Sequence, residues 1–215
     1  MSESDLYDEG PDEAPPDGDR IIHTQVLDSY DEEGLGRVTV QIPWLDDPVV
    51  ASVATGAAGK GRGMFFIPQK GDEVLVLVKD QPDLTAYVIG SVWTSEEEPP
   101  RREPDAAANV QLIRTPGGHE IVFNDETGEL VIKSSSGHRV TLSKSSVEIR
   151  SVRDKESDDT AATVTLEANG KIAIKGSSIT VEAETGALTL SGRSVELKAT
   201  AGDCVIKGTP NVNIN

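Results

Sequence analysis

Few residues in this chain have the types and spacing that chemistry requires. Asp46/Asp47 and Asp158/Asp159 are paired carboxylates, the make-up of an acid–base couple. Sequence neighbours, however, point to opposite faces of a strand or sit in solvated loops, so neither pair converges on one reacting atom. The histidines are His23, His119 and His138, and their positions suggest neither a Ser-His-acid constellation nor a metal cluster. The single cysteine, Cys204, excludes an intrachain disulfide and a multi-thiolate site within one chain. Its place in an alternating apolar pattern reads as a small buried hydrophobe. No enzyme, cofactor or metal site is expected.

The elements that carry these residues are strands. The 215 residues have a formal net charge of -17, which argues against nucleic-acid binding and against an anionic membrane surface. Aromatics are only 4% and glycines number 20, a composition for slim strands and tight turns. No positively charged start leads into an apolar stretch, and no apolar run nears 18 residues. Neither a signal peptide nor a membrane span is expected, and departure from a cell would need a non-classical route.

Four segments follow. Residues 1–20 form an acidic arm, with eight acidic groups and three prolines up to Asp19, read as disordered, as a solubilising tail or as a docking strand. Residues 21–95 form an all-β unit of five or six strands, a small barrel. Its strands are read at His23–Ser29, Arg37–Ile42, Val49–Thr55, Met64–Ile67, Glu73–Lys79 and Thr85–Trp93. Residues 96–117 are a linker and neck, charged and proline-rich up to Asp105 and therefore extended, with one further strand at Asn109–Thr115.

Residues 118–215 are repetitive. Apolar pairs two residues apart recur at Ile121/Phe123, Leu130/Ile132, Val140/Leu142, Val147/Ile149, Val164/Leu166 and Ile172/Ile174. They continue at Ile179/Val181, Leu188/Leu190, Val195/Leu197, Cys204/Ile206 and Val212/Ile214. After Leu142 most steps are seven to nine residues, too short for a strand plus a helix. Ser151–Ala162 breaks the alternation and reads as a projecting loop. One chain wound this way buries little, so its apolar face asks for neighbours. A single-chain solenoid and intertwined chains both answer that need; the short step favours three chains, each giving one face of a prism. Outward charges such as Glu148, Lys175 and Glu196 read as a solvated surface.

Three blocks carry a family likeness: Gly36-Arg37-Val38-Thr39-Val40-Gln41-Ile42-Pro43-Trp44-Leu45-Asp46-Asp47, Pro68-Gln69-Lys70-Gly71-Asp72-Glu73-Val74-Leu75-Val76, and Arg114-Thr115-Pro116-Gly117-Gly118-His119-Glu120-Ile121-Val122-Phe123. With Gly59–Pro68 and Ala86–Trp93, the chain resembles the VgrG/phage baseplate assembly protein V family of contractile-tail central spikes. The resemblance implies an OB-fold barrel followed by an intertwined trimeric β-helix, a triangular β-prism. It implies a homotrimer that joins the hub and tube of a contractile injection machine to a PAAR-repeat tip and pierces the target envelope. It also implies a baseplate location in a phage tail or tail-like particle.

On that resemblance Trp44 and Phe66 are barrel core or barrel-to-barrel contacts, and Pro68, Gly71 and Asp72 form a core-and-turn element. Pro116, Gly117 and Gly118 form the neck, where a plain turn remains open. The shaft interior is Val140, Leu142, Ile172, Ile174, Ile179, Val181, Leu188, Leu190, Val195, Leu197, Cys204 and Ile206. Thr209, Pro210, Asn211, Val212, Asn213, Ile214 and Asn215 form the tip-docking surface. Some relatives have a larger hub region ahead of the barrel, so the hub is expected to be a separate protein here. Effector cargo is a further partner, and a His-x-His iron site near the tip is not expected. The rival reading is a peripheral trimeric fibre or needle that binds a receptor or cargo.

Overall fold

A computed structural model of the chain describes residues 18–79, 83–101, 106–154, 156, 159–208 and 212. Two compact units divide at Asn109/Val110.

The first unit holds β1 (Arg20–Asp28), β2 (Arg37–Val40), β3 (Val49–Val53), β4 (Ala58–Gly59), β5 (Arg62–Gly63), β6 (Glu73–Lys79) and β7 (Thr85–Ser91). Five of them close a barrel in the order β1-β2-β3-β7-β6. Closure depends on β1 serving two partners. Its residues 20–25 pair with β6, and Val26 and Asp28, with a register shift between them, pair with β2. The contact of β3 with β7 is parallel, and the remaining barrel contacts are antiparallel.

Strict alternation sends Val38 and Val40, Val74, Val76 and Val78, and Ala86 and Val88 inward, where they join Val26, Ile42 and Ala51 as a buried core. Valine dominates because a five-stranded barrel has a narrow interior. β6 and β7 match their expected spans closely. Met64–Ile67 differs: it forms no strand, and its place is taken by the small β4–β5 hairpin just before it.

Between Ser95 and Asp105 the described part, up to Arg101, contains no strand, and a single helical turn, α1 (Ala106–Asn109), precedes the second unit. That unit is an antiparallel meander of β8 (Val110–Arg114), β9 (Glu120–Asn124), β10 (Glu129–Lys133), β11 (Arg139–Leu142), β12 (Ser146–Asp154), β13 (Asp159–Glu167) and β14 (Ile172–Gly176), lying side by side in chain order. The projecting loop expected at Ser151–Ala162 is corrected. Pairing runs on through Ser151–Ala162, Val152–Thr160 and Asp154–Asp159 with two register shifts, so β12 and β13 are the longest strands of the sheet. Charged and hydroxyl side chains hide the alternation there, but the ladder needs only backbone, and Val152 still finds a buried position.

From Ser177 to Lys207 the described chain forms no strand and is exposed throughout. The apolar pairs persist in that stretch without an intrachain ladder.

Ile42 is fully buried where the chain leaves β2. Ile42→Ala is expected to lower the unfolding free energy of the barrel by about 2–5 kcal/mol in urea titrations. A loss below about 1 kcal/mol would place the core elsewhere.

Candidate functional site

The described residues bring no catalytic group together. Asp46 and Asp47 are exposed in the loop before β3, Asp159 opens β13 as a partner of Arg153, and Asp158 lies outside the described residues. His23 sits on β1 against Glu73, while His119 and His138 occupy turns of the second unit. Among the described residues no group of three or more His, Cys, Asp or Glu is placed to hold a metal.

What the second unit does present is an apolar face. Ile113, Ile121, Ile132, Val140, Ile149, Val164 and Ile174 stand directly opposite one another on successive strands, a continuous row of β-branched residues across the whole sheet. Two residues along each strand, and so on the same face, a second row runs Phe123, Leu130, Leu142, Val147, Leu166 and Ile172. The pairs read along the sequence are the crossings of these two rows with each strand. None of these side chains is fully buried in the single chain, and Ile174 remains 55% exposed. A contiguous apolar face of this kind marks an assembly surface.

The expected shaft-interior residues fall into two groups. Val140, Leu142, Ile172 and Ile174 lie in the rows just described. Ile179, Val181, Leu188, Leu190, Val195, Leu197, Cys204 and Ile206 lie beyond β14 and are exposed. Within one chain Cys204 is exposed. Of the tip-docking residues, Val212 alone is described, and it is exposed; Thr209, Pro210, Asn211, Asn213, Ile214 and Asn215 lie outside the described residues.

In the barrel, Trp44 packs against the core, and the Arg20 guanidinium lies 4.9 Å from its ring centroid. Phe66 is not core: it is 57% exposed, and the inward places after it are taken by Ile67 and Pro68. With Leu35, Met64 and Phe65 it lines an open groove of about 510 Å³. Gly71 and Asp72 do form a turn. Gly71 has φ 99°, donates to the Val26 carbonyl at 2.9 Å, and the Asp72 carboxylate accepts from the Gln69 amide at 2.7 Å.

The loop between β1 and β2 is folded around one carboxylate. Asp31 accepts the backbone amides of Leu35 and Arg37 and two bonds from the Arg37 guanidinium, the shorter at 2.8 Å. The Arg37 side-chain bond, followed by these amides, holds its carboxyl down at about 2 against the burial that opposes it.

Pro116, Gly117 and Gly118 lie in a turn. It belongs to a repeat that single-residue reading misses: Thr115-Pro116-Gly117-Gly118-His119 and Ser134-Ser135-Ser136-Gly137-His138 fold alike. In each, the first amide donates to the histidine carbonyl, the fourth residue is a positive-φ glycine, and its amide donates to the first carbonyl. Each histidine then accepts an amide from a later segment through Nδ1, from Ser135 at 3.3 Å and from Val152 at 3.2 Å. The shared Gly-His ending was the available signal, nineteen residues apart in the chain.

Comparison with known proteins accounts for both units. Residues 22–93 match the type VI secretion system/phage-baseplate injector OB domain, and residues 110–189 match the phage baseplate V C-terminal trimerisation domain. The chain belongs to the phage baseplate V family. Among curated proteins no match is found. This baseplate V protein has a structural role in a contractile injection system. Its barrel is the injector OB domain, and the match to a trimerisation domain covers β8–β14, where the two apolar rows lie. The match continues past β14 into the exposed apolar pairs.

Two outcomes are expected. By NMR the Asp31 carboxyl titrates near 2, and Arg37→Gln moves it back toward 3.8. Since the folded value is the lower one, the stabilisation is complete above the ordinary value and is lost as pH falls through about 2. A wild-type midpoint at the ordinary value would remove Asp31 as the organiser of its loop. In His138→Ala, amide exchange at Val152 accelerates while exchange at barrel Val76 is unchanged; equal rates at Val152 would discount the imidazole bond.

Proposed function

We propose that this baseplate V protein is the central spike of its contractile particle. Three copies pack their apolar faces around a common axis, and the β8–β14 unit and the residues after it form a triangular β-prism. The barrel end joins a separate hub, and the C-terminal segment Thr209–Asn215 carries a PAAR-type tip. Sheath contraction drives the assembly through the target envelope, with the spike as its mechanical part.

The observation that carries this reading is the pair of apolar rows left half-wet in one chain. Covering a half-exposed Ile, Leu or Val regains about 1 kcal/mol. Over both rows that is on the order of 10 kcal/mol per chain, comparable to the cost of bringing copies together. A single wound chain leaves that gain unrealised. Three copies around one axis suit the narrow, mostly aliphatic rows and agree with the description of the matched domain. The exposed Phe65 and Phe66 suit a contact made by the barrel with another chain.

Purified full-length protein is expected to be a trimer by native mass spectrometry, resistant to SDS without heating. Ile132→Asp with Ile149→Asp is expected to leave it monomeric, because each copy then places charge on the shared axis. In imaged particles the protein lies on the tube axis; a peripheral position would establish the fibre reading instead. Removing residues 209–215 abolishes binding of a PAAR protein, and retained binding would show that the tip docks elsewhere.

A further inference from the structure

One stretch of the barrel carries charge unlike the rest of the chain. From Pro48 to Gly71 the sequence holds no aspartate or glutamate but three cations, Lys60, Arg62 and Lys70, although acidic residues outnumber basic ones 37 to 20 overall. Lys60 and Arg62 are exposed on the β4–β5 hairpin, and among the described residues neither forms an ion pair. Of the carboxylates in the β1–β2 loop, Asp31 and Glu33 are paired with Arg37, which leaves Glu32 to offset these cations in part.

The open groove of about 510 Å³ lies between that hairpin and that loop. Leu35, Met64, Phe65 and Phe66 on its walls are each more than half exposed. Backbone bonds fix its shape beforehand. The Met64 amide donates to the Ala57 carbonyl at 2.9 Å, and the Thr55 hydroxyl donates to the Met64 carbonyl at 2.8 Å. The Met64 sulfur lies over Gly56, and Gly36, with φ 75°, leaves room beside Ile67 and Phe65.

A preformed apolar groove with a cationic rim fits an acidic segment that carries adjacent apolar side chains. Residues 1–17 are such a segment, with seven carboxylates, no lysine or arginine, and Leu6 next to Tyr7. They lie outside the described residues, which begin at Gly18, two residues before β1. β1, nine residues and about 30 Å long, leads into the loop whose Gly34, Leu35 and Gly36 line the groove. Leu6 stands twelve residues ahead of Gly18, a reach of about 40 Å when extended, so the arm is long enough to span that strand. Because the arm is tethered, an intrinsic affinity of about millimolar is enough to hold it there. The net charge of -17 disfavours an anionic membrane or nucleic acid as a competing occupant.

We propose that the acidic arm docks on this groove, Leu6 and Tyr7 against Met64, Phe65 and Phe66, and the flanking carboxylates against Lys60 and Arg62. The arm covers the exposed aromatic residues of the barrel until another chain takes its place, so a contact made through Phe65 and Phe66 begins by displacing it. Docking of the arm does not require the trimer.

The two methionines, Met1 in the arm and Met64 in the groove, make methyl NMR selective. The test compares the full-length protein with a chain lacking residues 2–17, both labelled at the methionine methyls, with a neutral gadolinium chelate in the solvent. Met64 is expected to be shielded from the chelate in the full-length protein, and to shift and lose that shielding once residues 2–17 are gone. A peptide of residues 1–17, added to the shortened chain at millimolar concentration, is expected to restore the full-length signal. Its affinity falls at least about tenfold with Lys60→Glu and Arg62→Glu in the protein, or with Leu6→Ala and Tyr7→Ala in the peptide. Lys60 and Arg62 are exposed and lie outside the barrel core, so their replacement leaves the fold intact. Equal exposure of Met64 with and without the arm overturns the proposal. Equal shielding overturns it as well, and would put a second copy or another protein in the groove. A peptide that fails to restore the signal, or whose affinity neither pair of substitutions lowers, overturns it too.

Discussion

The constraint on which the second unit depends is an apolar face that one chain has no means of covering. A meander of short strands satisfies its backbone hydrogen bonds laterally and spends no residues on a second layer. The two rows from Ile113 to Ile174 and from Phe123 to Ile172 therefore stay half-wet. Beyond β14 even the lateral ladder is gone, while the apolar pairs continue. Within one chain nothing among the described residues covers those pairs.

The barrel obeys a different economy. Ten residues fill its core, most of them valine, and β1 bends to close the cylinder by pairing with both β2 and β6. This unit is complete in one chain, and its fixed loops follow from that. Asp31 organises the β1–β2 loop through amide and guanidinium bonds, and Gly71 with Asp72 returns the chain to β6.

Recurrence also appears at a scale finer than the strand pairs. The Thr115–His119 and Ser134–His138 turns share their hydrogen bonds, a left-handed glycine and an imidazole that reaches a later segment. Each imidazole ties a turn to a segment more than a dozen residues on, which stiffens one end of the sheet without adding core.

Alternation by itself determined five of the barrel strands, though not the one expected at Met64–Ile67, and the paired apolar residues of the sheet, since inward residues must recur every second position whatever their partners. The β6 strand, Glu73–Lys79, was legible to the residue because valine alternates there without interruption. Three things required the tertiary structure. Phe66 proved exposed because the chain turns inward only at Ile67 and Pro68, and hydrophobicity does not record that direction. The Ser151–Ala162 segment proved to be ladder, because backbone pairing tolerates side chains that conceal a pattern. The alignment of the pairs into two rows, with Lys133 opposite Arg139 and Arg139 opposite Arg150, depends on register, which turn geometry sets and local sequence does not state.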